Sequence, residues 1–320
     1  MAEAKHIVIA SGSKPTPLPI AGSEHLLSSD DFLEMENLPD SLIFVGGGYI
    51  SFEFAHIAAR AGAKVTILHE NDRPLGHFDR DLVDRLVDKT RRIGIDVELD
   101  SPAERIERSG AGVTVRAGHN RLFQAAAAVH GAGRVPDIDD LDPAAGGVER
   151  EGRRLRLTPS LQSVSNPIVH AAGDAALAGP MLTPVSELDA EAVAANLLEG
   201  GARCPDYKGV PSVVFTIPAL ASVGLNEEQA RHDNLAFRVE QADTGGWYAA
   251  RRLKEDAAAF KTLIEENTGR LLGAHVIGPN AEEVINIFAL AIRLGLTADR
   301  LREFVPAYPS QAANVAYMLG

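Results

Sequence analysis

The stretch "LIFVGGGYISFEFAHIAARAGAKVTILHE", residues 42–70, decides the fold that we expect for this chain. An apolar run over residues 42–45 enters a glycine turn, and a segment with helical spacing follows. A second apolar run over residues 65–68 then leads to an acid, Glu70. Short apolar runs bounded by turn signals are typical of strands buried in a parallel sheet. The pattern therefore predicts a βαβ unit.

The glycine turn of this unit predicts a dinucleotide site. Gly46 allows the tight turn, Gly48 lets a pyrophosphate approach the backbone at the helix N-terminus, and Ser51 is small enough for helix–strand packing. The alternative is a glycine-rich turn of structural use alone. Glu70, 24 residues after Gly46 at the end of the second run, favours NAD over NADP, because a carboxylate accepts hydrogen bonds from a ribose 2′-OH and repels a 2′-phosphate. Arg73 is the nearby residue that can reach a phosphate instead.

Composition limits the function classes. The chain has 320 residues, 45% of them hydrophobic, which is ordinary for a globular protein of two or three domains. A net charge of −13 argues against nucleic acid as the main partner. No apolar stretch reaches the length of a membrane span, so neither a membrane partner nor a membrane location is expected, and the cytoplasm is the default. The single cysteine, Cys204, provides no internal disulfide, and the ten histidines show no metal-ligand spacing.

The rest of the chain alternates predicted helices and strands. Helices are expected over 79–94, 182–200, 226–232 and 281–295. In the second of these, Thr183 is the expected N-cap and Gly200 the stop signal. Short alternating runs up to about residue 124 predict a small antiparallel hairpin layer. Further strands are expected at 125–130, 212–218, 258–266 and 271–278, so that the last block forms an α+β domain without a phosphate loop.

Five segments, in this order, resemble the motifs of one family. They are "VIASGSKPTPLPIAG" (8–22), "VGGGYISFEFA" (45–55), "GAGRVPDIDDL" (131–141), "IVHAAGDAALAGPMLTPV" (168–185) and "GVPSVVFTIPALASVGLNEEQA" (209–230). The chain resembles the pyridine nucleotide–disulfide oxidoreductases, the family of glutathione reductase, dihydrolipoamide dehydrogenase and mercuric reductase. The resemblance covers essentially the whole chain.

The resemblance implies an α/β fold in which a Rossmann-like NAD-binding domain is inserted in a partial FAD-binding domain. It divides the chain into a remnant of the FAD domain (1–25), the NAD-binding domain (26–128), the second part of the FAD domain (129–205) and a C-terminal α+β dimerisation domain (206–320). It implies FAD and NAD as cofactors, and Glu70 predicts that NADH is preferred over NADPH. It also implies a homodimer that passes electrons from NADH through flavin to a disulfide or similar acceptor, a small molecule or a thiol.

Particular residues inherit roles from this resemblance. Tyr49 resembles an aromatic lid over the flavin, and Glu53 an acid that contacts the nicotinamide carboxamide; the alternatives are a core tyrosine and a solvated helical glutamate. Gly131 and Gly133 would admit the nicotinamide half of NAD, or form a plain turn. Asp174 would accept hydrogen bonds from the flavin ribityl chain. The residues expected to contact FAD are Ser11, Gly12, Gly173, Asp174, Leu182 and Thr183.

The chain also departs from the family pattern. The FAD-binding βαβ unit and the CxxxxC redox pair of the family have no counterpart in the sequence, which predicts a fragment or a truncated reading frame; the alternative is a self-sufficient protein that shares the domains. Such a fragment is expected to retain FAD poorly. Tyr308 stands in place of the family's proton-shuttling histidine, with Ser310 and Ala313 at the neighbouring motif positions. A tyrosine, with an ordinary pKa near ~10, is a poor proton shuttle at neutral pH.

Three functions consequently stay open. The first is the flavoprotein reductase itself, the second a non-catalytic fragment that binds nucleotide and dimerises, and the third an NADH oxidase or ferredoxin-reductase-like flavoprotein. The apolar tail "VAYML" (315–319) is expected to lie in a dimer contact, or alternatively to fold back on its own domain. Cys204 is expected to be inert. The histidines expected to be packed are His56, His69, His130, His170 and His275.

Overall fold

The computed structural model describes residues 3–110 and 112–320, which form two compact units. The small unit comprises residues 3–17 and Gly133–Tyr207. The large unit comprises the described residues of Leu18–Ala132 and Lys208–Gly320. The large unit therefore holds the predicted nucleotide-binding and C-terminal segments together.

The helices and strands of the described residues are as follows. The helices are α1 (Ser29–Leu33), α2 (Tyr49–Arg60), α3 (Arg80–Arg92), α4 (Thr183–Glu199), α5 (Glu227–His232), α6 (Tyr248–Leu253), α7 (Ala281–Leu294) and α8 (Ala298–Arg302). The strands are β1 (Ile7–Ile9), β2 (Ser13–Pro15), β3 (Ser41–Val45), β4 (Lys64–Leu68), β5 (Asp96–Glu98), β6 (Ala103–Ser109), β7 (Gly112–Ala117), β8 (Arg121–Ala125), β9 (Ala127–His130), β10 (Arg134–Pro136), β11 (Arg150–Glu151), β12 (Arg154–Leu155), β13 (Val169–Ala171), β14 (Ser212–Val214), β15 (Ala219–Gly224), β16 (Phe237–Asp243), β17 (Ala259–Glu265) and β18 (Leu271–Gly278).

The predicted βαβ unit forms the centre of a four-stranded parallel sheet with the strand order β5-β4-β3-β9. Its strands are short and apolar because both faces are covered, in part by α2 and α3. The largest side chains of this core are fully buried; they include Phe44, Phe52, Ile67 and Leu86. Next to this sheet, β6, β7 and β8 form an antiparallel layer, as the alternating pattern predicts.

The C-terminal segment is a five-stranded antiparallel sheet with the order β14-β15-β18-β17-β16, and α7 packs on β15 and β18. Within the large unit, α3 also packs against this sheet. As a result, one apolar core joins the parallel sheet to four residues of the C-terminal sheet, which are Val214, Leu220, Ala259 and Ile277.

A buried lysine reinforces this junction. Lys261 on β17 is 3% exposed, and its Nζ lies 3.0 Å from Asp79, 2.6 Å from Asp81 and 3.0 Å from Glu227. Burial alone would lower the pKa of Lys261, but the carboxylates outweigh burial and raise it. The lysine thus stays charged and links the start of α3 to the C-terminal sheet.

Most of the apolar residues at the end of the chain pack on their own domain. Val315, Met318 and Leu319 are buried in the core beneath α7. The hydroxyl of Thr262 donates to the carbonyl of Met318 over 2.6 Å, and Arg302 donates to the carbonyl of Leu319 over 2.7 Å. The tail therefore folds back on its own domain, because its apolar residues find a core within the same chain.

The small unit pairs β1 with β13 in parallel and β2 with β10 in antiparallel fashion. Its helix α4 begins one residue earlier than the expected cap at Thr183 implies. Leu182 occupies the N-cap with extended backbone angles (φ −137°, ψ 143°), so Thr183 is the first helical residue rather than the cap. The helix ends as predicted at Gly200, whose φ of 68° suits glycine.

Among the described residues, no helix has both the length and the apolar composition that crossing a bilayer requires.

Candidate functional site

At the glycine turn between β3 and α2, the backbone packs so closely against neighbouring backbone that no side chain fits. Gly46 has a φ of 110°, and a Cβ added there would lie 2.4 Å from the amide nitrogen of Ala132. A Cβ on Gly48 would lie 2.9 Å from the carbonyl oxygen of Gly131. Within the part of the chain that the structure describes, no side chain caps α2. The amides at this helix N-terminus are therefore not occupied by a capping side chain of the described residues, which suits an anion.

Ser51 and Gly131 bring the helix and the strand ends close together. Ser51 is fully buried, and a Cβ on Gly131 would lie 1.9 Å from the Ser51 hydroxyl oxygen. A larger residue at either position would push α2 away from the sheet. The structure thus brings Gly46, Gly48, Ser51 and Gly131 together in the large unit.

His69 connects residues 69–75 (the 69–75 loop) to the glycine turn. The amide of Gly47 donates to Nδ1 of His69 over 3.0 Å, so Nε2 carries the proton, which it donates to the carbonyl of Arg73 over 3.0 Å. The amide of Leu75 donates back to the carbonyl of Gly47 over 2.9 Å. Sequence reasoning expected His69 only to be packed and missed this connection, for which the local pattern contains no signal.

Glu70 lies two residues beyond the end of β4 at Leu68, not at the end of the strand itself. Its side chain is exposed. The side chain of His69, the residue after β4, contacts the glycine turn, and Glu70 is the first acid of the 69–75 loop.

Two arginines in or near the 69–75 loop, Arg73 and Arg80, form ion pairs with carboxylates. Arg73 pairs through Nη1 with Glu228 of α5. Arg80 donates to Asp72 over 2.8 Å. Sequence reasoning named Arg73 as a potential phosphate ligand but had no means of finding Glu228, which lies 155 residues away.

Tyr49 and Glu53 occupy the first two turns of α2. Tyr49 is 47% exposed, which excludes the alternative of a core tyrosine. Glu53 is half-buried, and its carboxylate accepts a hydrogen bond from the amide of Phe215 over 2.9 Å. Burial raises the pKa of Glu53, while the Phe215 hydrogen bond acts in the opposite direction. Glu53 is therefore not an ordinary solvated helical glutamate.

His56, one turn further along α2, is a buried neutral histidine. The amide of Ile217 donates to Nδ1 over 3.2 Å, so Nε2 carries the proton and donates to the Thr90 hydroxyl over 3.0 Å. Burial, with the nearby Arg60 and Lys89 charges, lowers the pKa of His56 to about 4. The side chain thus joins α2, α3 and the segment that follows β14.

The small unit holds the residues expected at FAD. Asp174 accepts a hydrogen bond from the Ser13 hydroxyl over 2.7 Å, and Ser13 accepts one from Arg134 over 2.9 Å. The turn at Gly173 has a φ of 66°, and its amide donates to the buried carboxylate of Asp189 over 3.0 Å. Asp174 is thereby held in place from both sides.

The other residues expected at FAD belong to the same unit. The Ser11 hydroxyl donates to the carbonyl of Asp137 over 2.5 Å. A Cβ added at Gly12, which has a φ of 75°, would meet no described atom within 4 Å. Leu182 and Thr183 begin α4, and no described side chain caps that helix. An open glycine, a fixed carboxylate and an uncapped helix N-terminus fit the polar part of a flavin.

Two remaining site candidates lie outside these groups. Gly133, with a φ of 93°, belongs to the small unit, where its carbonyl accepts a hydrogen bond from the amide of Thr16 over 3.0 Å. Tyr308 is 83% exposed and precedes a turn in which the Ser310 hydroxyl accepts a hydrogen bond from the amide of Ala313 over 3.3 Å. Ser310 thus caps the final helical turn.

Comparisons with known proteins agree with this arrangement. The family model described as pyridine nucleotide-disulphide oxidoreductase matches residues 1–190, and the model for the dimerisation domain of the same family matches residues 210–318. An uncharacterized 19.7 kDa protein in the mercuric resistance operon of Staphylococcus aureus is 45% identical over 175 residues, which are 54% of this chain and 97% of that protein.

Longer relatives match nearly the whole chain. Mercuric reductase from Lysinibacillus sphaericus is 30% identical over 318 residues, which cover 98% of this chain and 58% of that protein. The solved structure of the HOCl-induced flavoprotein disulfide reductase RclA from Escherichia coli superposes with a TM-score of 0.89 at 30% identity, over 98% of this chain and 73% of that one.

The chain thus spans less than two thirds of the mercuric reductase that it matches. The expected α/β class with a C-terminal α+β domain is confirmed, both by the parallel and antiparallel sheets and by the superposition. With matches to both family models in the expected order, the chain belongs to the pyridine nucleotide-disulphide oxidoreductase family.

Proposed function

We propose that this protein is an FAD-dependent NADH oxidoreductase that passes electrons to a disulfide or a similar acceptor. The observation that carries the proposal is the glycine turn, where a Cβ on Gly46 would meet the backbone of Ala132 and no described side chain caps α2. Such a surface gives a pyrophosphate direct access to helix amides. The match to the family model supports the flavin step.

On the nucleotide side, the chain binds and orients the electron donor. The amides at the start of α2 hold the pyrophosphate, Ser51 keeps the helix close to the sheet, and Glu70 accepts hydrogen bonds from the adenosine ribose. Tyr49 covers the nicotinamide position. The half-buried Glu53 accepts a hydrogen bond from the carboxamide, for which its second carboxylate oxygen is suited.

On the flavin side, the residues of the small unit that are expected at FAD would hold the cofactor. When bound, FAD supplies hydride acceptance and electron transfer. The fixed carboxylate of Asp174 would accept hydrogen bonds from ribityl hydroxyls, and the amides at the start of α4 would favour negative charge on the ring system. These contacts concern the ribityl and pyrimidine parts, so we expect this chain to retain FAD weakly.

We further propose that the protein acts as a homodimer through its C-terminal domain. The match of residues 210–318 to the dimerisation-domain model supports this proposal. Tyr308, strongly exposed on that domain, would lie at the subunit interface in the position of the family's histidine.

A second function is favoured by the cysteine content. Cys204 is the single cysteine of the sequence and is exposed, so the chain brings no dithiol pair of its own. A protein that binds nucleotide and dimerises without turnover fits that observation.

Reduction of bound flavin distinguishes the two functions. The chain is mixed with sub-stoichiometric FAD, without removal of unbound flavin, and NADH is added anaerobically; FAD without the chain is the blank. Loss of the flavin absorbance band faster than in the blank is the expected result. NADH binding in calorimetry without flavin reduction would support the non-catalytic function. The absence of both would contradict either assignment.

A further inference from the structure

The side chain of Arg73 has an unused capacity to bind an anion. It is 26% exposed and pairs through Nη1 with Glu228, a residue of α5 that is itself 54% exposed. The Nε atom of Arg73 is buried and has no hydrogen-bond partner among the described residues. A guanidinium offers five donors in a fixed fork that matches phosphate. The Glu228 pair therefore leaves Arg73 incompletely satisfied.

The backbone of Arg73 is fixed beside the nucleotide surface. Its carbonyl is bound by His69, which also holds the amide of Gly47. Arg73 follows Glu70 by three residues. In dinucleotide-binding folds, this loop contacts the adenosine ribose. An arginine at such a place is the usual ligand of a 2′-phosphate.

From these contacts we propose that Glu228 is a specificity residue, which restrains Arg73 and so weakens binding of the 2′-phosphate of NADPH. This inference rests on the proposed function. A 2′-phosphate must compete with the Glu228 carboxylate for the guanidinium and must also approach Glu70. Arg80, the neighbouring cation, is similarly engaged by Asp72. The discrimination thus depends partly on a helix of the C-terminal segment, outside the βαβ unit.

The alternative is that the pair only fastens α5 to the 69–75 loop. A structural contact would affect NADH and NADPH alike, because both share the pyrophosphate and the ribose position. A specificity role predicts a change for NADPH alone. The comparison between the two nucleotides therefore separates the alternatives without reference to turnover.

The test is calorimetric titration of the full chain with NADH and with NADPH. Glu228→Ala should tighten NADPH binding about threefold to fivefold, the range expected for an ion pair that is partly exposed, and change NADH binding less than about twofold. Glu228→Gln should give a smaller change in the same direction, because Gln keeps a hydrogen-bond acceptor but loses the charge.

Two further variants serve as controls. Asp84→Ala removes a charge that, like Glu228, lies near Arg80 but does not pair with Arg73. It should leave the ratio of the NADPH and NADH affinities unchanged. In the double variant Arg73→Ala/Glu228→Ala the gain in NADPH affinity should disappear.

Each contrary result is informative. If Glu228→Ala tightens both nucleotides equally, or neither, while NADH still binds, the specificity role is wrong and the proposed function stands. If the double variant keeps the gain, Arg73 is not the residue that Glu228 restrains. If the wild-type chain binds neither nucleotide, the proposed function fails and this inference fails with it.

Discussion

Two adjacent residues, His69 and Glu70, differ in their surroundings at the edge of the nucleotide surface. His69 turns inward and binds the amide of Gly47, whereas Glu70 is exposed to solvent. His69 therefore shapes the glycine turn, and Glu70 has the exposure that the proposed contact with the ribose requires. The preference for NADH should depend on the second of them.

We expect wild-type chain to bind NADH more tightly than NADPH and Glu70→Ala to narrow that preference. Removing the carboxylate abolishes acceptance from the 2′-OH and repulsion of the 2′-phosphate together. The measurement is calorimetric titration with both nucleotides. Glu36→Ala, another exposed glutamate of the large unit, serves as the control and should change neither affinity. Tighter binding of NADPH than NADH by tenfold, about 1.4 kcal/mol, in the wild type would contradict the assignment.

At this scale, sequence reasoning could find residues whose roles follow from local geometry. Gly46 and Ser51 are such cases, since a tight turn and a close helix–strand contact leave few residue types. The partners of other site residues could not be found. Phe215 lies 162 residues from Glu53, and Glu228 lies 155 from Arg73. No periodicity in a single segment contains that information.

At the scale of elements, His56 makes α2 sensitive to acid. Its ring accepts a hydrogen bond from Ile217 and donates one to Thr90, which requires the neutral form with the proton on Nε2. An imidazolium could not accept from the Ile217 amide. Protonation would therefore loosen α2 from both α3 and the segment after β14.

Stability should consequently fall as the pH is lowered from about 6.5 towards 4. The pKa of His56 is lowered to about 4 in the folded protein against 6.5 in the unfolded chain, so the unfolded state binds more protons across this window. From pH 7 to 4.5 this residue should account for a loss of about 2–3 kcal/mol in the free energy of unfolding. Urea unfolding at the two pH values measures it.

His56→Gln should reduce that pH dependence, whereas His77→Gln, at an exposed histidine, should leave it unchanged. Burial also lowers the pKa of His170 and His275, so part of the dependence remains in the first variant. An identical slope in His56→Gln and wild type would show that His56 does not control acid stability.

Sequence reasoning located the long elements but missed several short or half-exposed ones. The strong periodicity of α3 and α7 predicted both helices within a few residues of their bounds. The strand β16 was missed, because its exposed, mixed sequence carries no clear alternation and its pairing with β17 decides its structure. Helix α6 is short and follows a turn, so it likewise depends on its surroundings.

At the scale of the whole molecule, the nucleotide-binding and C-terminal segments share one core inside the large unit. The sequence suggested separate domains, because the break in pattern near residues 204–211 reads as a linker. Packing of α3 against the C-terminal sheet is a long-range contact that such a break does not reveal. The tail is a second example. Its apolar composition predicts that its residues are buried, but not which part of the protein covers them.

Deletion of residues 315–320 should destabilise the protein instead of simply separating subunits. Val315, Met318 and Leu319 are buried. Loss of one such side chain lowers the free energy of unfolding by about 2–5 kcal/mol at most. Thermal unfolding of the deletion variant should shift to a lower midpoint. Light scattering of the intact chain should give a dimer.

The exposed Tyr317 provides the matched variant for this experiment. Tyr317→Ser removes a mostly exposed side chain whose ring contacts Trp247 edge-on, so it should lower the unfolding midpoint far less than the deletion. Any rise in its monomer fraction would place the outer face of the tail in the subunit contact. A single monomeric species for the intact chain at micromolar concentration would contradict the homodimer.

The buried Lys261 limits how this protein can be recombined with its relatives. Its ammonium is neutralised by Asp79 and Asp81 of one segment and by Glu227 of the other. A chimera whose C-terminal segment has no lysine at this position would leave the buried Asp79 without its cation, in an interior where an uncompensated charge is strongly destabilising. Such exchanges preserve folding only when the lysine and its acids are inherited together. The substitutions that the protein tolerates at any one of these four positions therefore depend on the residues at the other three.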